Sequence, residues 1–133
     1  MSTRALVLAL ASLSIGTAMA AAQTTEPARL DGVWVGTWWM GKYEEPIEME
    51  LAQRGDAVSG RVAMLGYPSL EGYPSENAPL QDGRLDGDRL VLTWRIGGRP
   101  FTATLAVTGP GTLFGLGSED GRVTTGLGLS RQR

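Results

Sequence analysis

The sequence predicts an all-β fold, an antiparallel meander closing into a small barrel of about eight strands. Three observations carry that expectation. From Leu30 onward apolar and polar residues alternate with period two. The alternating segments are short and mostly joined by two- to four-residue turns, drawing on 19 glycines and 7 prolines. No segment shows a helical period. Short strands with one apolar face must hide that face and their hydrogen-bonding edges, and closure into a barrel does both.

The elements follow in order. The first strand holds Gly32-Val33-Trp34-Val35-Gly36-Thr37-Trp38-Trp39, with Val33, Val35, Thr37 and Trp39 on one face and Trp34, Gly36 and Trp38 on the other. Gly41–Pro46 is expected to turn. Ile47–Arg54 sets Ile47, Met49 and Leu51 against Glu48, Glu50 and Arg54, and Gly55-Asp56 makes a hairpin into Ala57–Leu65. A long loop, Gly66–Pro79, leads to a short strand at Leu80–Leu85, closed by Asp86-Gly87-Asp88. Arg89–Ile96 alternates with Leu90, Leu92, Trp94 and Ile96 on one face; Gly97-Gly98 turns the chain into Phe101–Val107. Leu113–Gly117 and Val123–Arg131 complete the set, with Val123, Thr125, Leu127 and Leu129 expected inward. Glycines at 36, 60, 115, 117, 126 and 128 mark tight bends within strands.

The ends and the composition narrow the class. Arg4, the apolar run Ala5–Ile15 and the small-x-small triplet Ala18-Met19-Ala20 have the layout of an export signal over residues 1–20. The apolar run falls short of the ~20 residues that span a bilayer. A small polar linker at 21–30 then precedes one domain at 31–133, exported to the periplasm or the exterior. The chain has no cysteine and no histidine. That removes disulfides, the common zinc ligand sets and histidine-activated nucleophiles; no metal or cofactor is expected. Twelve basic and 14 acidic residues give a net charge of −2, or −3 once Arg4 leaves with the signal. Such a balance offers no electrostatic reason to seek nucleic acid or anionic membrane. An outer-membrane barrel would need strands of ~9–11 residues and aromatic girdles, which are missing here.

The early Gly-x-Trp, the meander and the basic residue near the end of the last strand resemble the calycin group, which includes lipocalins, fatty-acid-binding proteins and avidins. The resemblance implies that Trp34 or Trp38 packs across one barrel end against Arg131, a cation–π closure favourable by roughly 0.5–2 kcal/mol. It also implies a habit of binding small apolar molecules or proteins. The avidin pocket has no counterpart here, and the C-terminal helix of lipocalins is absent.

Candidate functional residues are few. Period two puts Trp38 and Trp39 on opposite faces, so one of them belongs at the surface or the barrel mouth. The Gly66–Pro79 loop repeats Gly-Tyr-Pro-Ser at 66–69 and 72–75, presenting Tyr67 and Tyr73 as a lid or contact surface. Glu48 and Glu50 share a strand face and raise the remote alternative of a carboxylate-dependent hydrolase. Serines lack a base, and Lys42 is the chain's one lysine. The sequence therefore points to a monomeric or weakly oligomeric, non-catalytic binding module. In the first reading it holds a small apolar molecule in the barrel mouth, lined by Trp38, Trp39, Met64, Trp94 and Phe101 under Tyr67 and Tyr73. In the second it contacts another exported protein, as an inhibitor or accessory of an envelope or secreted enzyme. A lumen filled by Trp34, Trp94 and Phe101 would favour the second.

Overall fold

The computed structural model describes residues 29–66 and 73–132. The export signal, residues 21–28 of the linker and Tyr67 lie outside them. Nine strands run in chain order: β1 (Gly32–Met40), β2 (Tyr43–Arg54), β3 (Ala57–Met64), β4 (Glu76–Pro79), β5 (Asp82–Asp86), β6 (Arg89–Ile96), β7 (Arg99–Val107), β8 (Thr112–Glu119) and β9 (Arg122–Arg131). The sheet order is β2-β1-β9-β8-β7-β6-β5-β3-β4, and β2 also pairs β3, so eight strands close on themselves and β4 is extra. All pairings are antiparallel. The all-β antiparallel barrel of eight strands expected from the alternation is therefore present, with β4 added to it.

Four local expectations need correction. β1, β2, β7 and β9 are 9, 12, 9 and 10 residues long, so these strands are not shorter than the ~9–11 residues of a membrane strand. The turn after β1 is only Gly41-Lys42, because Tyr43, Glu44 and Glu45 pair with Met40, Trp39 and Trp38 and extend β2 backward. The long loop is shorter than expected, since Glu76–Pro79 forms β4 on β3 and pairs Arg61 with Pro79 through Met64 with Glu76. β4 and β5 take successive parts of β3, with Ala57 paired to Arg84. Finally, Val123 is 58 % exposed. Gly117 pairs Thr125 but Ser118 pairs Val123, so Thr124 is an extra residue, and this bulge turns Val123 outward.

The interior is packed with the chain's own side chains. Trp34, Trp38, Trp94, Phe101, Leu90, Leu92, Ile96 and Leu105 are all at most 1 % exposed, with Met49, Val62, Leu113 and Leu127 among them. Trp94 and Phe101 meet at 4.9 Å between ring centroids, a favourable tilted aromatic pair. Strong coiling makes this closure possible. A Cβ at Gly36 would fall 1.9 Å from Gly128 O, and one at Gly60, where φ is +148°, would fall 1.9 Å from Glu50 O. At these bends the side-chain direction points at the neighbouring strand's backbone, where only a hydrogen fits. Two buried polar atoms, Trp94 Nε1 and Thr125 Oγ1, have no hydrogen-bond partner among the described residues.

Candidate functional site

Three places could carry function: the two barrel ends and the outer wall. At the end holding the start of β1, Leu30 is fully buried. Its N–H donates to Gln53 Oε1 at 2.8 Å, and Trp34 Nε1 donates to Leu30 O at 2.9 Å. The Arg131 guanidinium lies 4.6 Å from the Trp34 ring centre and donates to the carbonyls of Asp31 and Arg29. Asp31 accepts from the Gln53 N–H at 3.0 Å, and that bond is the main reason its carboxyl lies below the usual range. Of the two tryptophans offered as partners of Arg131, Trp34 is the one at this end, and Trp38 is at the other.

The opposite end is sealed by Tyr73. Its ring is 5 % exposed and stacks on Trp38 at 5.5 Å and 23°. Trp38 Nε1 in turn donates to Leu65 O at 2.9 Å. The Tyr73 hydroxyl donates to Glu119 and lies 2.9 Å from Thr124 Oγ1, the residue that the bulge displaces. Arg99 pairs with Glu119 at 2.8 Å and its guanidinium sits 5.8 Å from the Tyr73 ring centre. Tyr73 is thus a plug set into the barrel, with Trp38 and Met64 buried in the core below it.

Burial, then the hydrogen bond to the Glu119 carboxylate, push the Tyr73 hydroxyl up to about 12 from 10.0. The folded state therefore holds this proton more tightly than the unfolded chain. The stability it contributes is whole below about pH 10 and drains away as pH rises through about 12. We expect alkaline unfolding to steepen across that window, by roughly 1–2 kcal/mol after solvent screening. Tyr73→Phe should remove that part of the slope, and tyrosinate absorbance during the titration checks it.

The outer wall is divided by charge. On β2 the outward positions include Glu44, Glu48 and Glu50; on β3, Arg61; on β5, Asp82, Arg84 and Asp86; on β6, Arg89 and Arg95. The other half differs. Outward on β7 are Pro100, Thr102, Thr104 and Ala106, and on β8 Thr112, Phe114, Leu116 and Ser118. Outward on β9 are Gly126, Gly128 and Ser130, and on β1 Val33, Val35, Thr37 and Trp39. None of these positions carries a charge. Phe114 is 54 % exposed and Leu116 52 %, with Val123 beside them at the β8–β9 turn. Trp39 lies over Gly126, where a Cβ would come within 2.3 Å of the indole, and meets Phe114 at 5.8 Å. A groove of about 380 Å³ runs along Thr104, Ala106, Phe114 and Leu116.

The residues expected to line one mouth are thus distributed. Trp38, Met64, Tyr73, Trp94 and Phe101 are in the core, and Trp39 is outside. Glu48 and Glu50 are exposed on the outer wall rather than in a cleft of the lumen. Phe114 and Leu116 escaped sequence reasoning; their alternation with Leu113, Gly115 and Gly117 was the available signal. Among the described residues no group of three or more acidic side chains could hold a metal ion.

No family model matches the sequence, and no curated protein does. Among solved structures, the chain is similar to a variant of the fluorescent protein UnaG, at 13 % identity and a TM-score of 0.45, over 77 % of this chain and 95 % of that one. A likeness of that degree says nothing of ligand or activity.

Proposed function

We propose that the chain is an exported, non-catalytic binding module that engages another protein through the uncharged outer face of β7, β8, β9 and β1. One observation carries this reading. The large apolar side chains of the lumen pack on one another, while Phe114, Leu116 and Val123 stand exposed on one side of the barrel. Exposed apolar surface gathered in one patch marks interaction sites, whereas scattered apolar residues do not. Charge depletion with aromatic enrichment is the composition of an interface centre. Export rests on residues 1–20, and the non-catalytic reading on the missing histidine and cysteine together with Glu48 and Glu50 standing exposed on the outer wall.

Native mass spectrometry of the protein purified gently from its own exporting cell tests the reading. The expected spectrum shows a chain starting near Ala21 without a stoichiometric small molecule. A compound at full occupancy, released on denaturation, would restore the carrier reading of the lumen. A chain retaining residues 1–20 would remove the export.

A further inference from the structure

We infer that the outer wall carries a second site, a groove across β1, β2 and β3 that takes a protonated alkylamine. The ammonium meets Glu48, and the apolar tail lies over Ala63 toward Leu65. The inference goes beyond the outer-face reading above and does not depend on it.

The strand register builds the groove. Val35, Glu48 and Ala63 stand side by side in one outward row, since Val35 pairs Glu48 and Glu48 pairs Ala63. In the next row Pro46 lies beside Leu65, whose N–H donates to Pro46 O at 3.1 Å. Ala63 is the short residue of this region. Its neighbours on the same face of the chain are Arg61 and Leu65, and Asn77 faces it from β4. Longer side chains around a single methyl group leave a hollow of about 460 Å³, lined by Val35, Pro46, Ala63 and Leu65 with Glu48 and Glu76 beside them. Leu65 is 50 % exposed, so this apolar lining is open to a ligand.

Charge decides what the hollow accepts. Arg61 stands opposite Glu50, yet its guanidinium donates to Asn77 O and Oδ1 at 3.3 and 3.1 Å. Among the described residues no ion pair joins Glu44, Glu48 or Glu50 to a cation. Glu76 is engaged, because its Oε2 accepts from the Gly97 N–H at 2.8 Å. Glu48 is thus the groove carboxylate left to meet a ligand, and Glu44 and Glu50 on the same strand face add to its field. An anion would be repelled there. No aromatic ring among the described residues lines the groove, so a quaternary ammonium would find no cage. A primary ammonium brings N–H donors for charge-assisted bonds to Glu48.

Backbone and size set the rest of the ligand. Alongside the groove β1, β2 and β3 are paired on both edges, so an extended peptide would find no main-chain partners. The volume falls within the ~300–1,000 Å³ of small-molecule sites. It exceeds what the short stem of a lysine side chain would fill. The occupant is therefore a free amine with a longer tail.

Amide NMR titration of the protein with octylamine, near neutral pH and at low salt, tests this. Octylamine should shift the amides around Val35, Glu48, Ala63 and Leu65 saturably, with a Kd of ~0.1–1 mM for a ligand of about nine heavy atoms. Glu48→Gln should weaken binding about tenfold or more, and Ala63→Leu, which fills the hollow from an outward position, should abolish it. Asp86→Asn, on the outward side of β5, should leave it unchanged. Octanoate should not bind, and octyltrimethylammonium should bind about fivefold or more weakly. Near-UV circular dichroism verifies the fold of each variant. Absence of shifts up to ~10 mM octylamine would overturn the inference, as would shifts centred elsewhere or Glu48→Gln binding like wild type. Butylamine binding as well as octylamine would also overturn it, assigning the groove to a lysine side chain of a partner protein. An amine held this weakly is lost during purification. The native mass spectrum therefore reports on the lumen alone, and the two readings fail separately.

Discussion

Gly36→Ala is expected to unfold the protein, although it adds one methyl group to a residue of ordinary strand geometry. The new Cβ would sit 1.9 Å from Gly128 O, 2.7 Å from the Leu129 Cα and 2.8 Å from the Gly128 carbonyl carbon. All three are backbone atoms of β9, the strand that pairs Gly36 with Leu129. No side-chain rotation can relieve the overlap, so β1 and β9 must separate by more than an ångström where the first and last strands close the barrel. Overpacking usually costs ~1–3 kcal/mol through flexible side chains, and a clash against paired backbone should exceed ~4 kcal/mol. A small domain has only ~5–15 kcal/mol to lose. Gly128→Ala, on the facing strand, is the control. Its Cβ would meet Phe114 at 3.6 Å and Trp39 at 3.7 Å, which are ordinary contacts. That variant should stay within about 0.5 kcal/mol of wild type, as surface changes usually do. Urea titration of both variants, followed by tryptophan fluorescence, decides the matter. Equal midpoints would show that the barrel is not held at Gly36.

Gly36 also marks how far the sequence could be read. Alternation alone placed eight strands and sorted most inward side chains correctly, because a strand's faces are fixed by period two. Val123 was misplaced because a bulge is one extra residue in a pairing, and it appears only when the partner strand is known. β4 escaped for a related reason. Glu76–Pro79 has no apolar alternation, and its strand character comes from the free edge of β3 beside it. A tyrosine in a long proline-bearing loop could be a lid or a contact; nothing local says that Tyr73 turns back onto Trp38 and reaches Glu119 and Thr124, 46 and 51 residues away. The charge-free face lay in the sequence only as scattered outward positions. It becomes one surface when β1 pairs β9, bringing Trp39 of the first strand beside Phe114 of the eighth.

The adjacent tryptophans Trp38 and Trp39 should respond to alanine very differently, and Trp38→Ala is the second large effect. Trp38 has no exposed surface. Its removal takes away the ring under Tyr73 and leaves Leu65 O without the indole N–H that satisfies it. Emptying a buried tryptophan site costs ~3–5 kcal/mol, and an orphaned carbonyl adds to that. Tyr73 would also lose the surface that holds its hydroxyl against Glu119, so Trp38→Ala should weaken the alkaline dependence assigned to Tyr73. Trp39→Ala uncovers Gly126 and part of Phe114 on the outer wall but opens no interior space. Its cost should be about 1 kcal/mol, the loss of a partly exposed contact. Its larger consequence falls on the outer face, where the indole covers Gly126 and meets Phe114. Thermal melts of the two variants separate the two roles. Trp38→Ala should lower Tm by ten degrees or more, at roughly 4–8 °C per kcal/mol, whereas Trp39→Ala should melt near wild type. The reverse outcome would mean that the first strand has its faces exchanged, with Trp39 inside the barrel.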